Sequence, residues 1–294
     1  MRLPNPLKPW FLYRPGQLLR RVARALRPPA DPIQVVDLPW GCSLEIDTRE
    51  TIGRSVWTAG VHDLAVVEVL VRLADPALLA IDAGANIGAM TGALAARAGE
   101  VWAFEPHPDV FRSLEANVAR FAGLPGFAPT RAFDLALSDS DGEARLESPE
   151  GFADNRGLGR LAEGGGIPVR TARLDRLLEG REVGVMKVDV EGHELAVLRG
   201  AAESLAAGRV RHVLFEDHGG PDSPVCRFLE SLGFGLFAVG WRLRGPRLVP
   251  VSGSGANRSY EAPNYLATRL PEGALEACRP RGWVCLRRRR GTGR

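Results

Sequence analysis

Leu79-Ala80-Ile81-Asp82-Ala83-Gly84-Ala85-Asn86-Ile87-Gly88 decides how this chain is read. An apolar strand ends on an acid, passes through a glycine turn and opens a helix. At the strand end the Asp82 carboxylate is placed to accept hydrogen bonds from polar groups of a ligand. Gly84 opens backbone conformations closed to residues with a Cβ and lets a ligand approach the main chain. Gly88 permits close packing where the helix departs, and the helix start offers unpaired N–H groups and partial positive charge. Ala85 and Asn86 complete the turn and join Asp82, Gly84 and Gly88 as expected cofactor contacts. The spacing is D-x-G-x-x-x-G rather than the G-x-G-x-x-G of dinucleotide binders. S-adenosylmethionine (SAM), a nucleoside without phosphate, therefore fits better than NAD. Turns of this kind also occur for packing alone, so the rest of the chain must decide.

Working outward, strands and helices alternate. Helical spacing over His62 to Leu73 is broken by Pro76, and Leu78 to Ile81 starts the first core strand. The pattern predicts a helix over Gly88 to Arg97 and a strand over Val101 to Phe104. Pro108 to Phe121 reads as a helix with proline in its first turn. Further strands are expected at Asp134 to Leu137, Val183 to Val188, His212 to Phe215, Phe234 to Val239 and Asn264 to Thr268. Between them lie a short hairpin at Glu143 to Glu147 and helices over Leu174 to Leu178, Glu194 to Ala206 and Asp222 to Leu232. Such alternation means a mostly parallel sheet with helices on both faces. Ligands of these sheets bind at the carboxyl ends of the strands.

The strand ends carry a coherent set of polar residues. Glu105 follows the second strand, twenty-three residues after Asp82, where an acceptor-only carboxylate can hold both hydroxyls of a ribose. Ser138 and Asp139 follow the third strand, within reach of an adenine amino group. Lys187-Val188-Asp189-Val190-Glu191-Gly192-His193-Glu194 closes the fourth, and Phe215-Glu216-Asp217-His218 the fifth. His107 reads as a loop residue. Residues 148–166, rich in glycine, are too long for a routine connection; Asn155 and Arg156 there are expected to contact an acceptor.

Composition limits the partners. The chain has 294 residues and a net charge of +3, with arginines crowding residues 14–27 and Arg287 to Arg290. The middle is near neutral, which argues against nucleic acid as an obligate partner. Only two of the 38 basic residues are lysines, Lys8 and Lys187, so a lysine deep in the chain points to a need for a compact charge. Cys42, Cys226, Cys278 and Cys285 show no metal-type spacing and read as reduced thiols of a cytoplasmic protein. No apolar run spans a membrane, and Met1 to Tyr13, with three prolines, lacks a signal peptide's apolar core. Residues 10–27 have the pattern of an interfacial amphipathic helix; a helix docked on the domain, or a poorly ordered arm, is the favoured alternative. The expected organisation is a basic arm over 1–32, a catalytic domain over 33–270 with a small β extension at 33–60, and a basic tail over 271–294.

With these residues collected, the chain resembles the FkbM-type family of SAM-dependent methyltransferases over about residues 60–270. The resemblance rests on Ile81 to Gly88, Phe104-Glu105-Pro106, Ala136-Leu137-Ser138-Asp139, Leu174 to Leu178 and Lys187 to Glu194. Asn155-Arg156-Gly157 and Asn264-Tyr265-Leu266 also fit. It implies a Rossmann-like class I fold with a seven-stranded sheet, and methyl transfer to a hydroxyl of a saccharide or natural-product scaffold. An alcohol acceptor needs its proton removed. Asp189 and His193 are the candidate bases, with Glu216 and His218 across the site, and Lys187 placed to steady Asp189 or a developing alkoxide. Glu191 and Glu194 also suit a helix start without any catalytic part. No ligand-spacing signature fixes a metal site, so metal-independent chemistry is expected. Two other readings compete: a nucleic-acid methyltransferase, supported by the arginine arms alone, and a SAM-fold binding module without catalysis.

Overall fold

The computed structural model describes residues 29–147, 159–162, 165–251 and 263–286, with residues 23, 24, 26 and 27 ahead of them. From residue 29 onward the first elements form an antiparallel hairpin, β1 (Ile33–Asp37) and β2 (Ser43–Asp47), which buries Val36, Leu44 and Ile46. Two helices follow, α1 (Thr51–Ala59) and α2 (Leu64–Leu73), the second capped by the Asp63 side chain accepting from the Val66 amide. Next come β3 (Leu79–Ala83), α3 (Ala89–Ala95), β4 (Glu100–Phe104), α4 (Pro108–Phe121) and β5 (Thr130–Phe133). A small insertion contains β6 (Ala136–Leu137), β7 (Gly142–Glu147), β8 (Arg160–Ala162) and β9 (Ile167–Ala172). The alternation resumes with α5 (Leu174–Leu178), β10 (Val183–Val188), α6 (Glu194–Arg199), α7 (Ala202–Ala206), β11 (Val210–Glu216) and α8 (Pro224–Ser231). It closes with β12 (Gly235–Arg242), β13 (Gly245–Pro250), β14 (Asn264–Thr268) and α9 (Pro271–Cys278).

The main sheet has eight strands in the order β13-β12-β14-β11-β10-β3-β4-β5. Strands β5, β4, β3, β10 and β11 are parallel, while β14 runs against both its neighbours. The sheet thus holds the expected number of seven strands, one of them at a different place in the sequence, and β13 extends the edge as an eighth. Side chains alternate between two cores, as a sheet covered on both faces requires. Ala80, Val101, Ala103, Val185 and Leu214 face α2, α3, α4 and the hairpin. Ile81, Trp102, Phe104, Met186, Val188 and Phe215 face α5 to α8.

Three expectations change. The third strand of the sheet is Thr130–Phe133, not Asp134 to Leu137; Ala136 and Leu137 pair instead with Thr171 and Ala172 in a separate four-stranded sheet. An edge strand that is half exposed needs no apolar run, so its sequence gave no strand signal. The helix expected over Glu194 to Ala206 is broken after Arg199 into α6 and α7; Gly200 at the break leaves room for the Ser138 carbonyl, whose oxygen would lie 1.9 Å from a Cβ there. Residues 271–286 pack into the core rather than trailing as a tail. Fully buried Glu68 accepts from the Val284 and Cys285 amides, each at 2.8 Å, and Trp283 is fully buried. The rest of that tail and most of the N-terminal arm lie outside the described residues. Of the arm, Arg24 stacks over the Trp57 ring at 4.1 Å, while Leu26 is exposed.

Candidate active site

At the carboxyl ends of β3, β4, β10 and β11 lies one cleft. Its floor is the turn after β3. The Gly84 and Ala85 amides both donate to the Phe104 carbonyl, at 3.0 and 2.9 Å. Gly84 has φ +74, and a Cβ there would stand 1.8 Å from the Asp189 carbonyl oxygen. Only glycine fits, because the backbone after β10 packs directly onto the turn. Gly88, at φ +87, lets Leu114 of α4 come within 3.0 Å of where its Cβ would be.

Asp82 does not reach the cleft. The register sets it beside Lys187 and on the same face as Ala80, so its side chain points under α3. There it is fully buried: Oδ2 accepts from Thr91 Oγ1 at 2.6 Å and Oδ1 lies 3.2 Å from Lys187 Nζ. Lys187 Nζ also donates to the Gly84 carbonyl at 2.8 Å and sits 3.5 Å from Asp189 Oδ2. Burial alone would favour the neutral amine, but Asp82 and Asp189 outweigh it and hold the ammonium charged. The hydrogen bond it donates goes to the Gly84 carbonyl, and its charge is shared between two carboxylates. Its compact head fits where a forked guanidinium would not.

Glu105, nearly buried, forms one wall. Its Oε2 accepts from the Asn86 amide at 3.0 Å and its Oε1 from the His107 amide at 2.9 Å. Burial pushes its carboxyl up to about 7, against the opposing pull of those two amides. Each oxygen keeps a second lone pair for a ligand donor. Asn86 takes φ +50 and accepts the Ile87 amide on its own Oδ1. His107 lines the cleft but caps α4, its Nδ1 accepting from Asp109 N, as its loop reading implied. The adjoining apolar wall is Leu135, Ala136 and Leu137. Ser138 and Asp139 do not line it: Ser138 Oγ sits 2.9 Å from His193 Nε2, and Asp139 is exposed. The short β6, turned into the second sheet, carries both residues away from the main sheet's edge.

The opposite wall gathers Asp189, Glu191, His193 and Glu216. Asp189 is partly exposed and paired with Lys187. Glu191 holds φ +53, and burial, then Asp189, raises its carboxyl. Burial lowers His193 and favours its neutral imidazole, against the opposing charge of Asp139. Glu216 is pushed up to about 7, by burial first and the charge of Asp189 second. His218 Nε2 lies 2.9 Å from Glu216 Oε1 with its ring largely in solvent; it does not line the cleft. Glu194 belongs to the frame: its Oε1 accepts from the Val190 and Gly192 amides and shapes the loop. Asn155 and Arg156 lie outside the described residues. Among the described residues no three His, Cys, Asp or Glu side chains are grouped to hold a metal ion.

Thr51, Ile52 and His62 also line the cleft, and the sequence reading missed all three. They precede β3, so collecting residues that follow strands could not find them.

A methyltransferase FkbM domain model matches residues 82–236, just over half of the chain. The chain belongs to the FkbM methyltransferase family. Over 160 residues it is 37% identical to the hexuronic acid methyltransferase AglP of Haloferax volcanii, covering 53% of this chain and 63% of that one. It is 25% identical over 242 residues to the AMB antimetabolite synthetase AmbE of Pseudomonas aeruginosa, covering 67% of this chain and 11% of that protein. The chain thus spans less than two thirds of either relative. Among solved structures, the FkbM methyltransferase of Methylobacillus flagellatus aligns with a TM-score of 0.42 at 12% identity, over 66% of this chain and 44% of that one. TYW2 of M. jannaschii in complex with AdoMet gives 0.40 at 12% identity, over 82% and 86%. As an FkbM methyltransferase by family, the chain has its matched segment running from Asp82 past Glu105, Asp189 and Glu216 to Leu236. Thr51, Ile52 and His62 fall before it.

Proposed function

We propose that this protein transfers the methyl group of SAM to a hydroxyl of a saccharide or similar polyol. The observation that carries the reading is that Glu105 and Asp189 border one cleft, on either side of the Gly84 turn. The residues present fit SAM. Glu105 is a buried carboxylate with two outward lone pairs, suited to two vicinal ribose hydroxyls. Leu135, Ala136 and Leu137 offer an apolar slot for a purine, and residues Gly84 to Ile87 line the same cleft. When bound, SAM supplies an electrophilic methyl on a sulfonium.

The chain's own residues do the rest. Asp189 accepts the acceptor's proton, and Lys187 holds that carboxylate in place. His193, neutral and fixed by Ser138, and Glu216, near neutrality, stand beside it for the same proton. Asn155 and Arg156 remain assigned to the acceptor. The acceptor class is supported by the relative that carries the name hexuronic acid methyltransferase. All four cysteines are free and buried, and no helix among the described residues is long and apolar enough to cross a membrane; both support a cytoplasmic setting. Calorimetric titration with S-adenosylhomocysteine (SAH), followed by label transfer from SAM to a panel of hexoses and hexuronates, tests the reading. Micromolar SAH binding with a labelled sugar supports it. No SAH binding at millimolar concentration overturns it.

A further inference from the structure

We infer that residues 51–62, which precede the matched family segment, form the acceptor-facing wall of the cleft, with His62 a residue that selects and positions the acceptor. The inference rests on the methyl-transfer reading above. It begins with how firmly this segment is held. Fully buried Asn117 of α4 bridges the hairpin to the cofactor turn: its Nδ2 donates to the Glu45 and Ile87 carbonyls at 3.0 and 2.9 Å, and its Oδ1 accepts the Glu45 amide at 2.7 Å. Helix α1 is pressed against β2 so closely that a Cβ on Gly53 would lie 2.0 Å from the Asp47 carbonyl oxygen. Thr51, Ile52 and His62 are therefore set at the rim by packed structure rather than by a loose arm.

The side of the cleft that His62 occupies follows from the sheet. Asp63, next to His62, accepts from Asn264 Nδ2 at 3.1 Å on its Oδ2. Asn264 is the register partner of Glu216. His62 is thereby tied to the β11–β14 end, whereas Glu105 ends β4. Between β4 and β11 lie three strand spacings, roughly 14 Å. A ribose held at Glu105 is thus remote from His62, while Asp189 and Glu216 lie between them in the strand order. The wall combines an aliphatic side chain, a hydroxyl and an imidazole, a mixture suited to the apolar face and hydroxyl edge of a sugar ring.

Cysteine footprinting tests this on the full chain, because the four native thiols are buried. His62→Cys and Leu135→Cys variants, both at half-buried positions that line the cleft, are titrated with the thiol reagent DTNB, with and without saturating SAH. The expected result is at least tenfold protection of the Leu135→Cys thiol, and less than twofold change at His62→Cys, which reacts readily in both states. Equal protection of both would place His62 on the cofactor and overturn the inference. An unreactive thiol at position 62 without SAH would also overturn it, since the side chain would not face the cleft. Failure of SAH to protect Leu135→Cys, or to bind wild-type protein, would instead strike the methyl-transfer reading and the inference with it.

Discussion

The two walls of the cleft are built on different principles. On the Glu105 side, shape is set by backbone: glycine at φ +74, two amides on one carbonyl, and a carboxylate accepting two turn amides. On the Asp189 side, shape is set by side chains from separate segments, Asp189 to His193 after β10 and Glu216 at the end of β11, with carboxylates near enough to raise one another's proton affinity. The first wall is preorganised and suits one constant ligand. The second depends on neighbours that can change one at a time, as a varying acceptor requires. What differs is how many independent parts of the chain must agree.

The sharpest way to break this contrast is Gly84→Ala. A methyl 1.8 Å from the Asp189 carbonyl cannot be accommodated, and the strained φ adds to it. A loss of about 3–5 kcal/mol of stability is expected in denaturant titration, with SAH binding lost, since the change pushes both walls apart. Asp189→Asn works on the second wall alone. It should lower turnover about 10²- to 10³-fold while SAH affinity stays within threefold, measured by single-turnover kinetics beside calorimetry. Full turnover would move the base to His193 or Glu216.

Glu105→Ala addresses the first wall. Removing two charge-assisted hydrogen bonds should weaken SAH binding about 100-fold, with only a modest fall in melting temperature.

A smaller effect comes from pH. The folded, ligand-free protein holds Glu105 at about 7, above the ordinary 4.5 of an exposed carboxyl. Its stability contribution is thus fully present below about pH 4.5 and lost as pH rises through 7. Ribose hydroxyls donate to the ionised form, so SAH affinity should rise about tenfold between pH 6 and 8, with proton release on binding. Calorimetry in buffers of different ionisation enthalpy reads both, and Glu105→Gln should flatten the slope. A slope that survives in that variant would assign it to another group. Smallest of all, His62→Ala should raise acceptor KM about fivefold with SAM KM unchanged.

Much of this was legible in the chain. Asp189 to Glu194 and Glu105-Pro106 sit directly after strands whose apolar runs are unmistakable, and in a parallel sheet that alone carries them to one edge. Asp82 was legible as a residue of the turn but not in its direction, because its carboxylate is turned under α3 by register with Lys187. Ser138 and Asp139 were misplaced because β6 leaves the main sheet, a choice that two residues of sequence do not encode. Lys187, the one lysine beyond Lys8, was marked by composition; its three partners were not.

By itself, then, the sequence determined the alternation of strands and helices, the glycine turn and the residues that follow each strand, because those depend on local periodicity and on the conformations open to glycine. Tertiary structure alone decided that Asp82 is anchored beneath the cleft, that β13 adds an edge strand, and that Thr51, Ile52 and His62 come to its rim. Those facts depend on which distant backbones touch. Asn117 reaching across from α4 to Glu45, 72 positions away, is a contact that no local pattern announces.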